Sequence, residues 1–342
     1  MLQHSPDRSL VSPADLAECR QMIRDGSKTF YTASILLPQR VCDASRSLYA
    51  FCRVADDLVD RSSDSSAAVD ALLERLDRIY SGAPGDSPAD RAFADVAARF
   101  AIPREIPEAL IEGFAWDANG RRYPDLAALH AYAVRVAGTV GAMMSLVMQV
   151  RAPEAIARAC DLGIAMQLTN IARDVGEDAR NGRVYLPLDW LEEAGIDADR
   201  FIAAPRHSPA LASVVQRLLA AADVLYARSL SGIAMLPMSC RPSINAARLL
   251  YAEIGREVER NGGDSVERRA VVPTGRKLFL LGGAVAASAA RATPCEAPAL
   301  PQAQFLVDAV AGAGEPQRPP RTLDERAQWL TELFTRLEKQ RP

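Results

Sequence analysis

The sequence predicts an all-α protein, and three observations carry that reading. Apolar residues recur at helical rather than alternating intervals, strong helix formers such as Ala, Leu, Arg and Glu are abundant, and runs of β-branched residues are few. At 342 residues, 49% of them hydrophobic, the chain can bury one large core or two modest ones. Ser12 and Pro13 form an N-cap and first-turn pair that opens a helix running toward Gly26. Pro38 separates a short segment from the next helix, expected over 43–60. Further helices are expected over 67–80, 88–100, 105–118, 125–150 and 153–180, with turn signals such as Gly82-Ala83-Pro84-Gly85 between some of them. Later ones are expected over 209–236, 242–260 and 275–290. The Pro/Ala/Gly-rich stretch 293–320 reads as a linker, and the charged, amphipathic segment 323–339 as a helix docked on the periphery. The expected organisation is an all-α domain over 1–292, a linker over 293–320 and a peripheral C-terminal helix within 321–342.

Composition removes several classes of function. The formal net charge is −3 and the basic residues are scattered, so no electrostatic stripe points to nucleic acid. Six widely spread cysteines without a Cys-x-x-Cys read as reduced core thiols rather than a zinc site or a disulfide framework. The three histidines lack metal-ligand spacing, and neither Gly-x-Ser-x-Gly nor Gly-x-Gly-x-x-Gly occurs. No apolar h-region follows Met1, so a cytoplasmic protein is expected. The lipophilic stretch from Leu278 to Ala287 is shorter than the ~20 apolar residues of a bilayer span. It reads either as a buried helix or as a contact with the membrane surface.

Two acidic motifs stand inside otherwise apolar helical runs. Asp56-Asp57-Leu58-Val59-Asp60 and Asp174-Val175-Gly176-Glu177-Asp178 share the spacing Asp-x-x-x-Asp, which stacks two carboxylates on one helix face. The first lies near a helix C-terminus, where the dipole disfavours negative charge, so a cation is expected beside it. One such pair is common on a solvated helix face; two in apolar surroundings are not, because buried carboxylates without partners cost several kcal/mol (roughly). Oxygen-only ligation suits magnesium, which also binds substrate phosphates. Gln167, Asn170, Asp174 and Asp178 fall on one helical stripe as a ladder of oxygen ligands. Arg173 can hold a diphosphate oxygen or pair with Asp174 or Glu177. Gly176 signals either close approach of another backbone or a fraying helix end. The segment Gly26 to Tyr31 offers a cation, hydroxyls and aromatics for diphosphate contacts, or is a surface loop with partly buried rings. The small-residue run Val136 to Met144 reads as tight helix packing or as the wall of an apolar tunnel.

With these residues assembled, the chain resembles the squalene/phytoene synthase family, its bacterial phytoene-forming members most of all. The resemblance rests on Tyr49 to Asp60, on Val136-Ala137-Gly138-Thr139-Val140-Gly141, on Gln167 to Pro187, and on Ser27-Lys28-Thr29-Phe30, and it covers about 15–290. It implies an isoprenoid-synthase-type helical bundle around a central cavity with two facing aspartate-rich motifs. It further implies head-to-head condensation of two geranylgeranyl diphosphates through a cyclopropyl diphosphate to phytoene, the entry to carotenoids. The C15 substrate farnesyl diphosphate and a C30 product stand as the alternative, which pocket length decides. By motif matching, Asp56, Asp60, Asn170, Asp174 and Asp178 would be the magnesium-site residues, with manganese as the alternative ion. Ser27, Lys28, Thr29, Phe30, Tyr49, Arg53, Gln167 and Arg173 would contact the substrate, and Arg53 and Arg173 would join the four aspartates in catalysis. An insoluble product implies peripheral contact with the inner face of the membrane and admits downstream carotenoid enzymes as partners. Many relatives carry a second tyrosine just before the Val-Ala-Gly segment; here Ala133-Val134-Arg135 follow Tyr132, leaving Arg135 to face solvent or a phosphate.

Overall fold

The computed structural model describes residues 11–62, 64–289 and 293–313. All its elements there are helical: α1 (Pro13–Gly26), α2 (Lys28–Ser34), α3 (Gln39–Asp60), α4 (Ser65–Tyr80), α5 (Pro88–Arg99), α6 (Glu105–Ala118), α7 (Leu126–Ala133), α8 (Thr139–Val147) and α9 (Pro153–Arg180). There follow α10 (Leu188–Glu193), α11 (Ala198–Ala203), α12 (Pro209–Met235), α13 (Arg241–Arg260), α14 (Thr274–Ala287) and α15 (Gln304–Gly312). The start of α1 is a reciprocal cap: Asp15 N–H donates to Ser12 Oγ at 3.1 Å, and Ser12 N–H donates to the Asp15 carboxylate at 2.9 Å.

The expected helix over 125–150 is broken by a π turn, Val134–Gly138, between α7 and α8. The expected helices over 43–60 and 67–80 begin earlier, at Gln39 and Ser65, and α2, α10 and α11 lie in stretches where no helix was expected.

The central strut is α9, whose 28 residues span about 42 Å. Its main partner is α12, and the pairing is antiparallel: the Tyr226 and Thr169 hydroxyls lie 2.9 Å apart, while Gly232 faces Arg158. Against its other flank lies α8, also antiparallel. A Cβ on Gly163 would stand 2.3 Å from Ala137 O, and one on Gly141 would stand 2.3 Å from Ala159 O. These glycines let the two backbones touch, so the tight-packing reading of the small-residue run holds at those positions.

The stretch expected as a linker over 293–320 is, in its described part, attached to the body. Arg158 donates to Pro298 O at 3.1 Å and to Cys295 Sγ at 2.8 Å, and Arg228 donates to Pro298 O at 2.7 Å. Both arginines share the fully buried Asp161, at 3.0 and 2.9 Å. Beyond them α15 buries Leu306, Val307 and Val310 against α9 and α6. A short apolar stripe within a Pro/Ala/Gly-rich window is what hid this helix. The rest of that stretch and the C-terminal helix expected within 321–342 lie outside the described residues.

Residues Leu126–Val147 and Pro209–Met235 are long and apolar enough to cross a membrane by length and composition. Both pack into the bundle, and their apolar faces are its core.

Candidate active site

The helices α3 and α9 each bring an acidic motif to the same end of the bundle. Arg183, in the turn after α9, donates to Asp60 at the end of α3 at 2.9 Å, tying the two helix ends together. Carboxylate repulsion is felt within each motif, and Asp117 on α6 adds to it at both. Burial pushes Asp56 up to about 6, assisted by Asp60, Asp117 and Asp57, against the pull of Arg53. Burial likewise pushes Asp178 up to about 7, with Asp174, Glu177 and Asp117 adding to it and Arg183 opposing. Asp117 thus acts on both motifs.

Arginines neutralise most of these carboxylates. Arg53 pairs with Asp57 at 2.7 Å and with Asp56 at 3.4 Å. Arg173 pairs side-on with Asp174, its Nε at 2.8 Å, which is the ion-pair reading of that residue. Arg269 reaches Asp174 at 3.1 Å and Glu177 at 3.3 Å. Asp178 has no ion-pair partner among the described residues.

Below the acidic rim lies a cavity of about 300 Å³, walled by α2, α3, α8, α9, α12 and α13 and almost wholly apolar. Tyr49, Gln167 and Asn170 line it at the rim; Val136, Ala137 and Val140 line its side, so the same small-residue run that packs tightly on α9 also leaves space. Gly26 allows the Tyr49 hydroxyl to sit where a Cβ would be 2.3 Å away.

Each nominated substrate residue has a definite place. Ser27 caps α2, accepting from Phe30 N–H at 3.3 Å. Phe30 lines the cavity with its ring centroid 5.2 Å from that of Tyr251. Lys28 is exposed, with no ion pair among the described residues, and Thr29 is half-buried beside it on α2. Arg135 does not reach the rim: half-buried, it pairs with the exposed Glu112 at 2.8 Å and lies 4.2 Å from the Trp116 ring. Gly176 is settled as a close approach, because its N–H donates to Ser265 O at 2.9 Å and a Cβ would stand 2.5 Å from Val266 Cα.

Six side chains join the site without having been singled out for it, Arg183 among them. On α6, Asp117 accepts from the Tyr132 hydroxyl at 2.6 Å and from the Tyr185 hydroxyl at 2.7 Å. Burial raises its pKa even so, with the two tyrosine bonds lowering it. Tyr251 and Arg269 complete the rim on the α13 side. The available signals were a lone aspartate ending the apolar run Phe114-Ala115-Trp116-Asp117, and the Arg183-Val184-Tyr185 triplet directly after the second motif.

Among the described residues, no three His, Cys, Asp or Glu side chains stand close enough to hold one metal ion. The donor chemistry nonetheless fits a hard cation. All donors are oxygens, Asn170 Oδ1 is buried without a hydrogen-bond partner, and the burial and neighbouring carboxylates that raise Asp56 and Asp178 are what positive charge would offset.

An all-helical bundle with two acidic helix ends facing each other over an apolar cavity defines an isoprenoid-synthase type of fold. A dehydrosqualene synthase solved in complex with a ligand superposes with a TM-score of 0.74 at 30% identity, covering 80% of this chain and 96% of that one. A squalene synthase from Alicyclobacillus acidocaldarius gives 0.67 at 27%, covering 73% and 94%. The model of the squalene/phytoene synthase family matches residues 23–276, and the chain belongs to that family. It is 49% identical to a phytoene synthase of Cereibacter sphaeroides over 97% of this chain and 96% of that protein. It is 51% identical to a phytoene synthase of Rhodobacter capsulatus over 88% and 91%.

Proposed function

We propose that this chain condenses two geranylgeranyl diphosphates head to head, through a cyclopropyl diphosphate, to phytoene. The observation that carries the choice of substrate is the identity of 49% and 51% to phytoene synthases over nearly the whole chain. The C30-forming structural relatives stand at 30% and 27%. Cavity length supports the same choice. From Asn170 back to Ala155, both cavity-lining, α9 makes four turns, about 22 Å, of the order of an extended twenty-carbon isoprenoid.

Magnesium, or manganese in its place, would be held by Asp56, Asp60, Asn170, Asp174 and Asp178, and when bound it supplies positive charge to the departing diphosphate. The chain's own residues do the rest. Arg53, Arg173 and Arg269 now pair with carboxylates of the two motifs, and exchange of partners would free their guanidinium forks for diphosphate oxygens. The apolar walls hold the chain extended and keep water from the allylic cation that diphosphate departure leaves. The cavity-lining ring of Phe30, backed by Tyr251 at 5.2 Å, would offer an aromatic face to that cation. Asp117 fixes the hydroxyls of Tyr132 and Tyr185 and can hold a proton at its carboxylate. We further propose peripheral membrane contact, since the product is a hydrocarbon.

The test is a metal-stripped preparation given geranylgeranyl or farnesyl diphosphate, with and without magnesium, followed by chromatography and mass analysis of the extracted hydrocarbons. Phytoene from the C20 substrate, only with magnesium, is the expected result. A C30 product from farnesyl diphosphate alone overturns the substrate, and no condensation product from either overturns the reading.

A further inference from the structure

The end of the cavity remote from the carboxylates is closed by a distinct group of side chains. Leu37, Cys42, Met148, Leu236 and Cys240 form a small buried cluster separate from the main core. Three of them, Leu37, Met148 and Leu236, also line the cavity; Cys42 and Cys240 do not.

The topology explains why they meet. Because α8 and α12 both run antiparallel to α9, their C-terminal ends, followed by Met148 and Leu236, lie beside the start of α9 at Ala155. The ends of α2 and the starts of α3 and α13 close the same corner: Cys42 Sγ lies 3.2 Å from Ser34 O, and Ser243 Oγ donates to Ala33 O at 2.8 Å. The distance along α9 from this corner to Asn170 at the rim is about 22 Å.

We propose that Met148 and Leu236, backed by Leu37, are the floor of the cavity and set the longest isoprenoid chain it accepts. The inference rests on the reading that an isoprenoid diphosphate enters with its diphosphate at the carboxylate rim. Its tail then abuts the Met148 thioether and the Leu236 methyls. Truncating either opens room for one more isoprene unit, whereas enlarging the neighbouring cavity-lining Ala155, itself buried, shortens the space. Cys240 is the internal control: it shares the cluster but touches no cavity space, so its truncation loosens packing without lengthening the pocket.

The experiment compares the wild-type chain with Met148→Ala, Leu236→Ala, Ala155→Leu and Cys240→Ala on farnesyl, geranylgeranyl and geranylfarnesyl diphosphates. Thermal melts confirm that each variant is folded, and Leu236→Val and Met148→Val stand in where the alanine variant melts below assay temperature. The first two variants are expected to raise kcat/KM for the C25 substrate relative to C20 by about 10-fold or more, the scale on which pocket size discriminates a few methylenes. Ala155→Leu is expected to raise C15 relative to C20 by a similar factor, and Cys240→Ala to leave both ratios at the wild-type value. Unchanged ratios in folded floor variants, with wild type still converting the C20 substrate, overturn the floor assignment alone. A shift in Cys240→Ala as large as that in Met148→Ala does the same. Wild type that condenses neither the C15 nor the C20 substrate overturns the underlying reading and the floor with it.

Discussion

Asp117 shows how one side chain is loaded from several directions. Burial raises its pKa, two tyrosine hydroxyls hold it down, and it in turn raises both Asp56 and Asp178. Replacing it by asparagine keeps the shape and an acceptor for one hydroxyl while removing the charge. Turnover is expected to fall by at least about 100-fold, the usual weight of a positioned proton-holding group, with little change in melting temperature; steady-state rates and a melt check this together. Asp56→Asn and Asp174→Asn are expected to abolish turnover while the helical circular dichroism stays nearly unchanged, and full activity in either removes that aspartate from the mechanism. A different residue governs acid stability. His130 has its Nε2 buried without a hydrogen-bond partner, and burial, with Arg228 of α12 adding to it, lowers its pKa from 6.5 to about 4. Because the folded pKa lies below the unfolded one, the unfolded chain binds more protons between those values. The stabilisation is therefore complete above pH 6.5 and is lost as pH falls toward 4, by at most about 3 kcal/mol. His130→Leu should flatten that slope, read as the difference in melting temperature between wild type and variant across pH 4–7; parallel curves would remove His130 from the account.

Helix contacts in this bundle depend on glycines whose replacement has calculable consequences. Gly163→Ala drives a methyl to 2.3 Å from Ala137 O, a backbone atom that cannot rotate away, and a loss of about 1–3 kcal/mol is expected from chemical denaturation. Gly176→Ala meets Val266 backbone at 2.5 Å, and the segment it displaces carries Arg269, which pairs with Asp174 and Glu177. Activity should therefore fall in Gly176→Ala out of proportion to stability, a split that kinetics beside a melt resolves. Long elements such as α9, α12 and α13 were legible because many turns repeat the same apolar face and Pro or Ser marks their starts. The six- and seven-residue helices α2, α10 and α11 were not, because fewer than two turns establish no period. The π turn at 134–138 escaped for another reason: one widened turn shifts the phase of the helix without changing its composition.

At the scale of the molecule, legibility divides by sequence distance. The Asp-x-x-x-Asp spacings and the Gln167 to Asp178 ladder are local, so helix geometry alone discloses them. The Arg183–Asp60 tie spans 123 residues and the Tyr185–Asp117 bond 68, and only tertiary structure brings such groups together. The surface poses the opposite problem, an apolar face with nothing packed on it among the described residues. On α14, Leu278, Phe279 and Val285 are 65%, 69% and 55% exposed, and Val271 just before the helix is 70% exposed. Leu278 and Val285 lie two turns apart on one stripe, with Phe279 adjoining it, and Arg276 stands 5.3 Å from the Phe279 ring. Sinking the three helix side chains into a lipid interface is worth roughly 3–5 kcal/mol from apolar area, comparable to one short acyl anchor, and Arg268 and Lys277 nearby add attraction to anionic headgroups. Binding should therefore be reversible, stronger on anionic than on neutral vesicles, and weakened by salt. Flotation with liposomes of the two compositions measures it, and the double variant Leu278→Glu, Phe279→Glu is expected to stay in the soluble fraction while retaining turnover of detergent-dispersed substrate. Equal flotation of the double variant and the wild-type protein would exclude α14 as the membrane face, and an insoluble product would then have to leave by transfer to another protein.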